Sequence, residues 1–199
     1  AESMETSQDR LVDLVTAVQS AGFTDAVLLG MGGSSLAPEV FRKTFGVADN
    51  YLNLSVLDST DPGAVLATEQ RINLSKTLFI VATKSGGTAE TLSFFKYFYN
   101  QVEAELGQEN AGQHFIAITD PGSKLVDIAE KYDFRATFLN DPNIGGRYAA
   151  LSFFGLVPAA LLGVDVPRLL DRALIVACNA GDDNCSPAEN NIAAKLGGV

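Results

Sequence analysis

Uninterrupted apolar runs of membrane-spanning length are missing from this sequence. The best stretch, residues 153–164, is broken by Gly155, Pro158 and Gly163, and it falls short of the ~18 residues a membrane helix needs. A secretory leader is not expected either: residues 1–10 are polar and acidic where a leader is basic and then apolar. Cysteine is scarce. Cys178 and Cys185 make neither a disulfide framework nor a zinc site, and they are expected to be free thiols in a reducing cytoplasm. Histidine is scarcer still. His114 stands alone, which excludes a His-rich metal cluster within these residues and leaves a His-dependent mechanism one candidate. Basic residues are outnumbered, 14 Lys and Arg against 24 Asp and Glu, for a formal net charge of −10. Polyanions and anionic membranes call for a basic field, so neither nucleic acid nor membrane is an expected partner. One small anion stays open, because helix N-termini bind anions whatever the net charge.

Repeats, low-complexity tracts and Pro/Gly/Ser linkers are absent as well, and 199 residues fit one domain. What is present is an alternation of apolar runs and amphipathic stretches. Leu11, Leu14, Val15 and Val18 share one face of a helix over 6–21. Apolar runs predict strands at 25–30, 52–58, 77–83, 115–119 and, less apolar, 135–139. Helices are expected between them at 38–45, from Asp61-Pro62 to 71, at 88–106, and from Asp120-Pro121 to 132. In both Asp-Pro pairs the aspartate reads as N-cap and the proline as the first helical residue. From Arg147 on, helices are expected at 148–162, 167–180 and 187–196, the last opened by a capping box of Ser186, Pro187 and Glu189. Strands alternating with helices predict an α/β fold of three layers, αβα, around a five-stranded parallel flavodoxin-like sheet of order 2-1-3-4-5. The sheet core would occupy about 22–140 and a helical part about 147–199. In such sheets ligands sit beyond the carboxyl ends of the strands, at the switch point between strands 1 and 3.

The loops at that end carry the chemistry. After strand 1 comes Gly30-Met31-Gly32-Gly33-Ser34-Ser35: glycines that admit close backbone approach, then hydroxyls at a helix start. A plain turn with Ser34 or Ser35 as N-cap is the structural alternative. Gly30 and Gly32 also begin a dinucleotide-binding pattern, with Asp58 as its ribose acid. Ser35, however, occupies the third glycine position, and Asp58 lies beyond the ~20-residue spacing. After strand 3 comes Thr83-Lys84-Ser85-Gly86-Gly87-Thr88. The order is not that of a Walker A loop, but a cation with short hydroxyls at a helix N-terminus suits a phosphate monoester. Two such loops on neighbouring strands fit a phosphosugar, whereas a dinucleotide does not need the second. Asp120-Pro121-Gly122-Ser123-Lys124 reads as structural, and His114 as a surface or edge residue at the opposite end of the sheet. Asn143-Ile144-Gly145-Gly146-Arg147-Tyr148 can reach the ligand face, and an arginine at a helix start suggests an anionic partner.

The stretches 30–40, 83–91 and 145–148, in this order and spacing, resemble the SIS (sugar isomerase) family and, within it, the glucose-6-phosphate isomerases. The first stretch is most like the isomerase part of bifunctional transaldolase/glucose-6-phosphate isomerases. The resemblance covers nearly the whole chain and implies aldose–ketose isomerisation of glucose 6-phosphate and fructose 6-phosphate through an enediolate, without cofactor or metal. It places Gly33 and Ser34 at the sugar phosphate, Thr83, Lys84, Ser85 and Thr88 in the phosphate pocket, and Gly146 and Arg147 beside the reacting carbons, with Arg147 stabilising the enediolate. Ala149 departs from the family, where serine is expected. The family's proton-shuttling Glu, ring-opening His and Lys have no matching motif here. The resemblance therefore implies a first SIS domain of a longer enzyme, inactive alone, with a second SIS domain as partner and a homodimer possible. A phosphosugar-binding SIS sensor domain is the alternative.

Overall fold

The computed structural model of the chain describes residues 4–180, 191 and 195. These fall in two compact units, one ending at Val164 and the other beginning at Asp165. In the first unit the elements run α1 (Met4–Ser20), β1 (Asp25–Gly30), α2 (Gly33–Phe45), β2 (Asn53–Leu57), α3 (Pro62–Glu69), β3 (Thr77–Ala82), α4 (Ala89–Leu106), α5 (Gln108–Ala111), β4 (Phe115–Thr119), α6 (Lys124–Lys131), β5 (Ala136–Leu139) and α7 (Phe153–Leu161). Short 3₁₀ turns lie at Leu74–Lys76, Gly112–His114 and Gly146–Leu151. All five strands pair in parallel in the order β2-β1-β3-β4-β5, as the alternation predicts.

Burial follows from this order. Every residue of β3 and β4 is buried, because a parallel sheet is covered on both faces. On one face Val27, Leu29, Phe79, Val81, Phe115 and Ala117 meet Phe94, Phe95, Phe98, Tyr99 and Val102 of α4 and Leu125 and Ala129 of α6. The Phe79 ring stacks between Phe98, at 4.9 Å, and Phe115, at 5.0 Å. The alternate strand residues, Ala26, Leu28, Leu78, Ile80, Ile116 and Ile118, are fully buried on the other face, where α1, α2 and α7 pack.

Several boundaries differ from expectation. Helix α2 begins at Gly33, not near Pro38; the proline lies inside it, where its missing N–H weakens the ladder without stopping the helix. The Asp61-Pro62 pair opens α3 as expected, with Asp61 Oδ1 accepting from Ala64 N at 3.0 Å. The Asp120-Pro121 pair does not. It forms a turn through Gly122 (φ 72°), and α6 starts at Lys124. The helix expected over 148–162 is two pieces divided at Ser152, whose hydroxyl accepts from Phe154 N and donates to Ala149 O at 2.8 Å. Ala149 is buried inside the first piece, and the cap of α7 comes from Ser152. His114 sits at the amino end of the sheet as expected, but it is not a surface residue. Only 9% of it is exposed, with its ring edge-on to Phe23 at 4.9 Å.

In the second unit α8 spans Val166–Ala180, with Asp165 Oδ1 accepting from Arg168 N at 3.0 Å. The helix expected over 187–196, its capping box and Cys185 lie outside the described residues. Among the described residues no helix is long and apolar enough to cross a membrane.

Candidate functional site

At the carboxyl end of the sheet, a cleft of about 390 Å³ opens between the loops that follow β1, β3, β4 and β5. The first wall is the β1–α2 loop. Gly32 takes φ 58°, a left-handed value that glycine adopts without strain. The chain then turns straight into α2 at Gly33. A side chain at Gly33 is impossible without movement, because a Cβ there would stand 2.5 Å from the Gly146 carbonyl carbon. Two glycines from distant parts of the chain thus bring the β1–α2 loop and the segment after β5 into backbone contact. Ser34 lines the cleft. Ser35 does not; its hydroxyl donates to Gly32 O at 3.0 Å and meets Asp58 at 3.4 Å.

The second wall is the β3–α4 loop. Thr83 continues the ladder through its N–H to Ile118 O at 3.1 Å. Its hydroxyl pairs with that of Thr88 at 2.9 Å, closing the loop across its mouth. Ser85 Oγ accepts from Gly87 N at 3.3 Å. Gly86, at φ 68°, rests on the start of α6; a Cβ there would lie 2.6 Å from Leu125 N. Thr88 is the N-cap of α4 yet makes no side-chain cap hydrogen bond. The same is true of α2 at Gly32. The uncapped first-turn amides of α4 carry the positive end of the helix dipole and suit an anion, whereas Ser34 N and Ser35 N of α2 already donate to Met31 O and Gly32 O. Helices α3 and α7 are capped by Asp61 and Ser152, while α5 and α6 also begin without a side-chain cap bond.

Lys84 Nζ donates to Asp120 Oδ2 at 2.5 Å and to Pro142 O at 2.7 Å. Asp120 follows β4 directly, and Pro142 belongs to the segment leading to Gly146. The lysine therefore ties three loops together. Of the residues singled out from the sequence, Gly33, Ser34, Thr83, Lys84, Ser85, Thr88 and Gly146 line this one cleft. Arg147 does not. It is exposed on the 3₁₀ turn next to Gly146, without a hydrogen bond or ion pair among the described residues.

Sequence reasoning missed two polar residues of the lining, Thr91 and Asp120. Thr91 is fully buried, and its Oγ1 has no hydrogen-bond partner. A buried hydroxyl is rarely left unpaired, so this one is a donor in reserve. The signal was its spacing: Thr91 follows Thr88 by three residues, hence on the same face of α4. Asp120 was read as a helix cap, although its place at the end of β4 put it at the ligand side. His114 lies at the other end of the sheet. Its Nδ1 donates to Thr77 O at 3.0 Å, and burial lowers its pKa, with the Arg135 charge acting in the same direction. Among the described residues no group of His, Cys, Asp and Glu is arranged to hold a metal ion.

The sequence pattern of phosphoglucose isomerases matches residues 6–196. The chain belongs to that family. Among its relatives, the glucose-6-phosphate isomerase of Cyanothece sp. is 36% identical over 174 residues, 83% of this chain and 32% of that protein. The glucose-6-phosphate isomerase of Geobacter sp. is 38% identical over 157 residues, 76% of this chain and 28% of that protein. A crystal structure of a glucose-6-phosphate isomerase from Chlamydia trachomatis superposes with a TM-score of 0.77 at 26% identity, over 88% of this chain and 33% of that one. The chain spans about a third of the length of the curated phosphoglucose isomerase relatives it matches.

Proposed function

We propose that this chain is the sugar-phosphate-binding part of a glucose-6-phosphate isomerase, interconverting glucose 6-phosphate and fructose 6-phosphate. The observation that carries this reading is the β3–α4 loop, where Lys84, the hydroxyls of Thr83, Ser85, Thr88 and Thr91, and the uncapped start of α4 converge on one cleft. A phosphate monoester is small, anionic and rich in acceptors, and these groups are all donors. With the phosphate held there, Gly33 and Ser34 face the sugar. Gly146 lies against the reacting carbons, and Arg147, one residue further, turns in to stabilise the negative charge of the enediolate. Such a cation acts on charge that develops only during reaction, so it lowers the barrier more than it tightens substrate binding.

The proton transfer between C1 and C2 needs a base. Asp120, the one carboxylate lining the cleft among the described residues, is paired to Lys84, and His114 is at the wrong end of the sheet. The base and the ring-opening acid therefore belong to a further part of the protein, consistent with relatives about three times as long. Titration with fructose 6-phosphate and separately with NAD, followed by thermal unfolding, tests this function, with turnover assayed on the same samples. Fructose 6-phosphate is expected to raise the melting temperature, NAD to leave it unchanged, and turnover by the chain alone to be absent. Stabilisation by NAD alone would overturn the reading, and robust turnover would overturn the division of labour.

A further inference from the structure

Among the described residues two ionisable side chains line the cleft, Lys84 and Asp120, and the phosphate role uses only the first. The geometry gives the second a task. Asp120 is recessed, its side chain 15% exposed against 36% for Lys84, and its second oxygen, Oδ1, is buried without a partner. The two backbones are joined as well: Asp120 N donates to Lys84 O at 3.3 Å, and Thr119 Oγ1 donates to the same carbonyl at 3.4 Å. A half-exposed lysine ordinarily samples many rotamers. Here Asp120 and the Pro142 carbonyl, from two different loops, fix the ammonium at one point of the wall. The contact also has an electrostatic consequence. A carboxylate touching an ammonium offsets most of its field at the distance of a ligand, so the cleft meets an anion as an array of directed donors with little net charge.

We propose that Asp120 is a positioning residue that acts through Lys84, holding the ammonium in place and offsetting its charge. Anion affinity then comes chiefly from hydroxyls and first-turn amides, whose directions suit a tetrahedral phosphate ester, and not from a free cation that would hold any anion. This rests on the reading of the cleft as a phosphate site.

Inorganic phosphate titrated into the whole chain at low and high sodium chloride, about 50 and 500 mM, tests both. Wild-type affinity is expected to change by less than about threefold between the two salts, because little net charge is there to be screened. Asp120→Asn retains an oxygen for Lys84 Nζ and removes the negative charge. Its low-salt affinity is expected to rise about fivefold or more, with a steeper salt dependence. In a Lys84→Met background the same substitution is expected to change affinity by less than about twofold, since its effect runs through the lysine. A steep wild-type salt dependence overturns the proposal. So does an unchanged or weaker Asp120→Asn, or an equal gain in the Lys84→Met background. If Asp120→Asn does not fold, the wild-type salt dependence decides alone. Absence of any phosphate binding by the wild type overturns the reading of the cleft itself, and this proposal with it.

Discussion

At Gly33 the lack of a side chain is a geometric requirement. A methyl group there would stand 2.5 Å from the Gly146 carbonyl carbon, whereas a methyl group at Gly146 would meet Gly33 Cα at an ordinary 3.5 Å. Gly33→Ala is therefore expected to cost about 1–3 kcal/mol, and Gly146→Ala within about 0.5 kcal/mol, both measured by urea unfolding. Equal effects would show that the two loops do not touch. His114 makes a second residue-scale prediction. Its folded pKa lies below the ordinary 6.5, chiefly because the ring is buried. The unfolded chain then binds the proton more readily, so this contribution is complete above about pH 6.5 and is lost as pH falls through and below it. Stability of the wild type should drop between about pH 7.5 and 5.5 more than that of His114→Gln, and parallel pH curves would contradict this. At this scale the sequence was legible where residue type met local spacing, as in Lys84, Ser85 and Thr88. Asp120 and the burial of His114 depend on contacts across the chain, with Lys84 in one case and with Phe23 and Thr77 in the other. No local pattern reports those contacts.

Elements were legible in proportion to their apolar content. β1 and β4 match their expected bounds, and β2, β3 and β5 are displaced only at their ends. Helix starts were less so. The same Asp-Pro pair caps α3 at residue 61 and makes a turn at residue 120, where the left-handed Gly122 delays the start of α6 to Lys124. Pro38 read as a first helical residue although α2 had already begun at Gly33. The β3–α4 loop leads into α4, whose aromatic face packs on the sheet. Phe98 is fully buried and stacked on Phe79. Phe98→Ala is expected to lower stability by about 3–5 kcal/mol and to loosen the start of α4. A loss below about 1 kcal/mol in calorimetric unfolding would mean that α4 is not anchored as described.

At the scale of the whole molecule, the proposed anion site of this acidic chain works by local means. The net charge of −10 bears on long-range steering. In the proposed site, hydroxyls, helix amides and one paired lysine act at contact range. Strand order decides where that cleft lies. With β1 and β3 adjacent, their two glycine-bearing loops rise side by side, which is why two short motifs far apart in sequence act together. The order itself was readable from the alternation of elements and the handedness of parallel crossovers. Amide chemical-shift mapping during a fructose 6-phosphate titration tests this placement most directly. The largest shifts are expected at Ser34, at Ser85 to Thr91 and at Gly146, with His114 and the amino end of the sheet unmoved. Shifts centred on the amino end, or none along the β3–α4 loop, would contradict it.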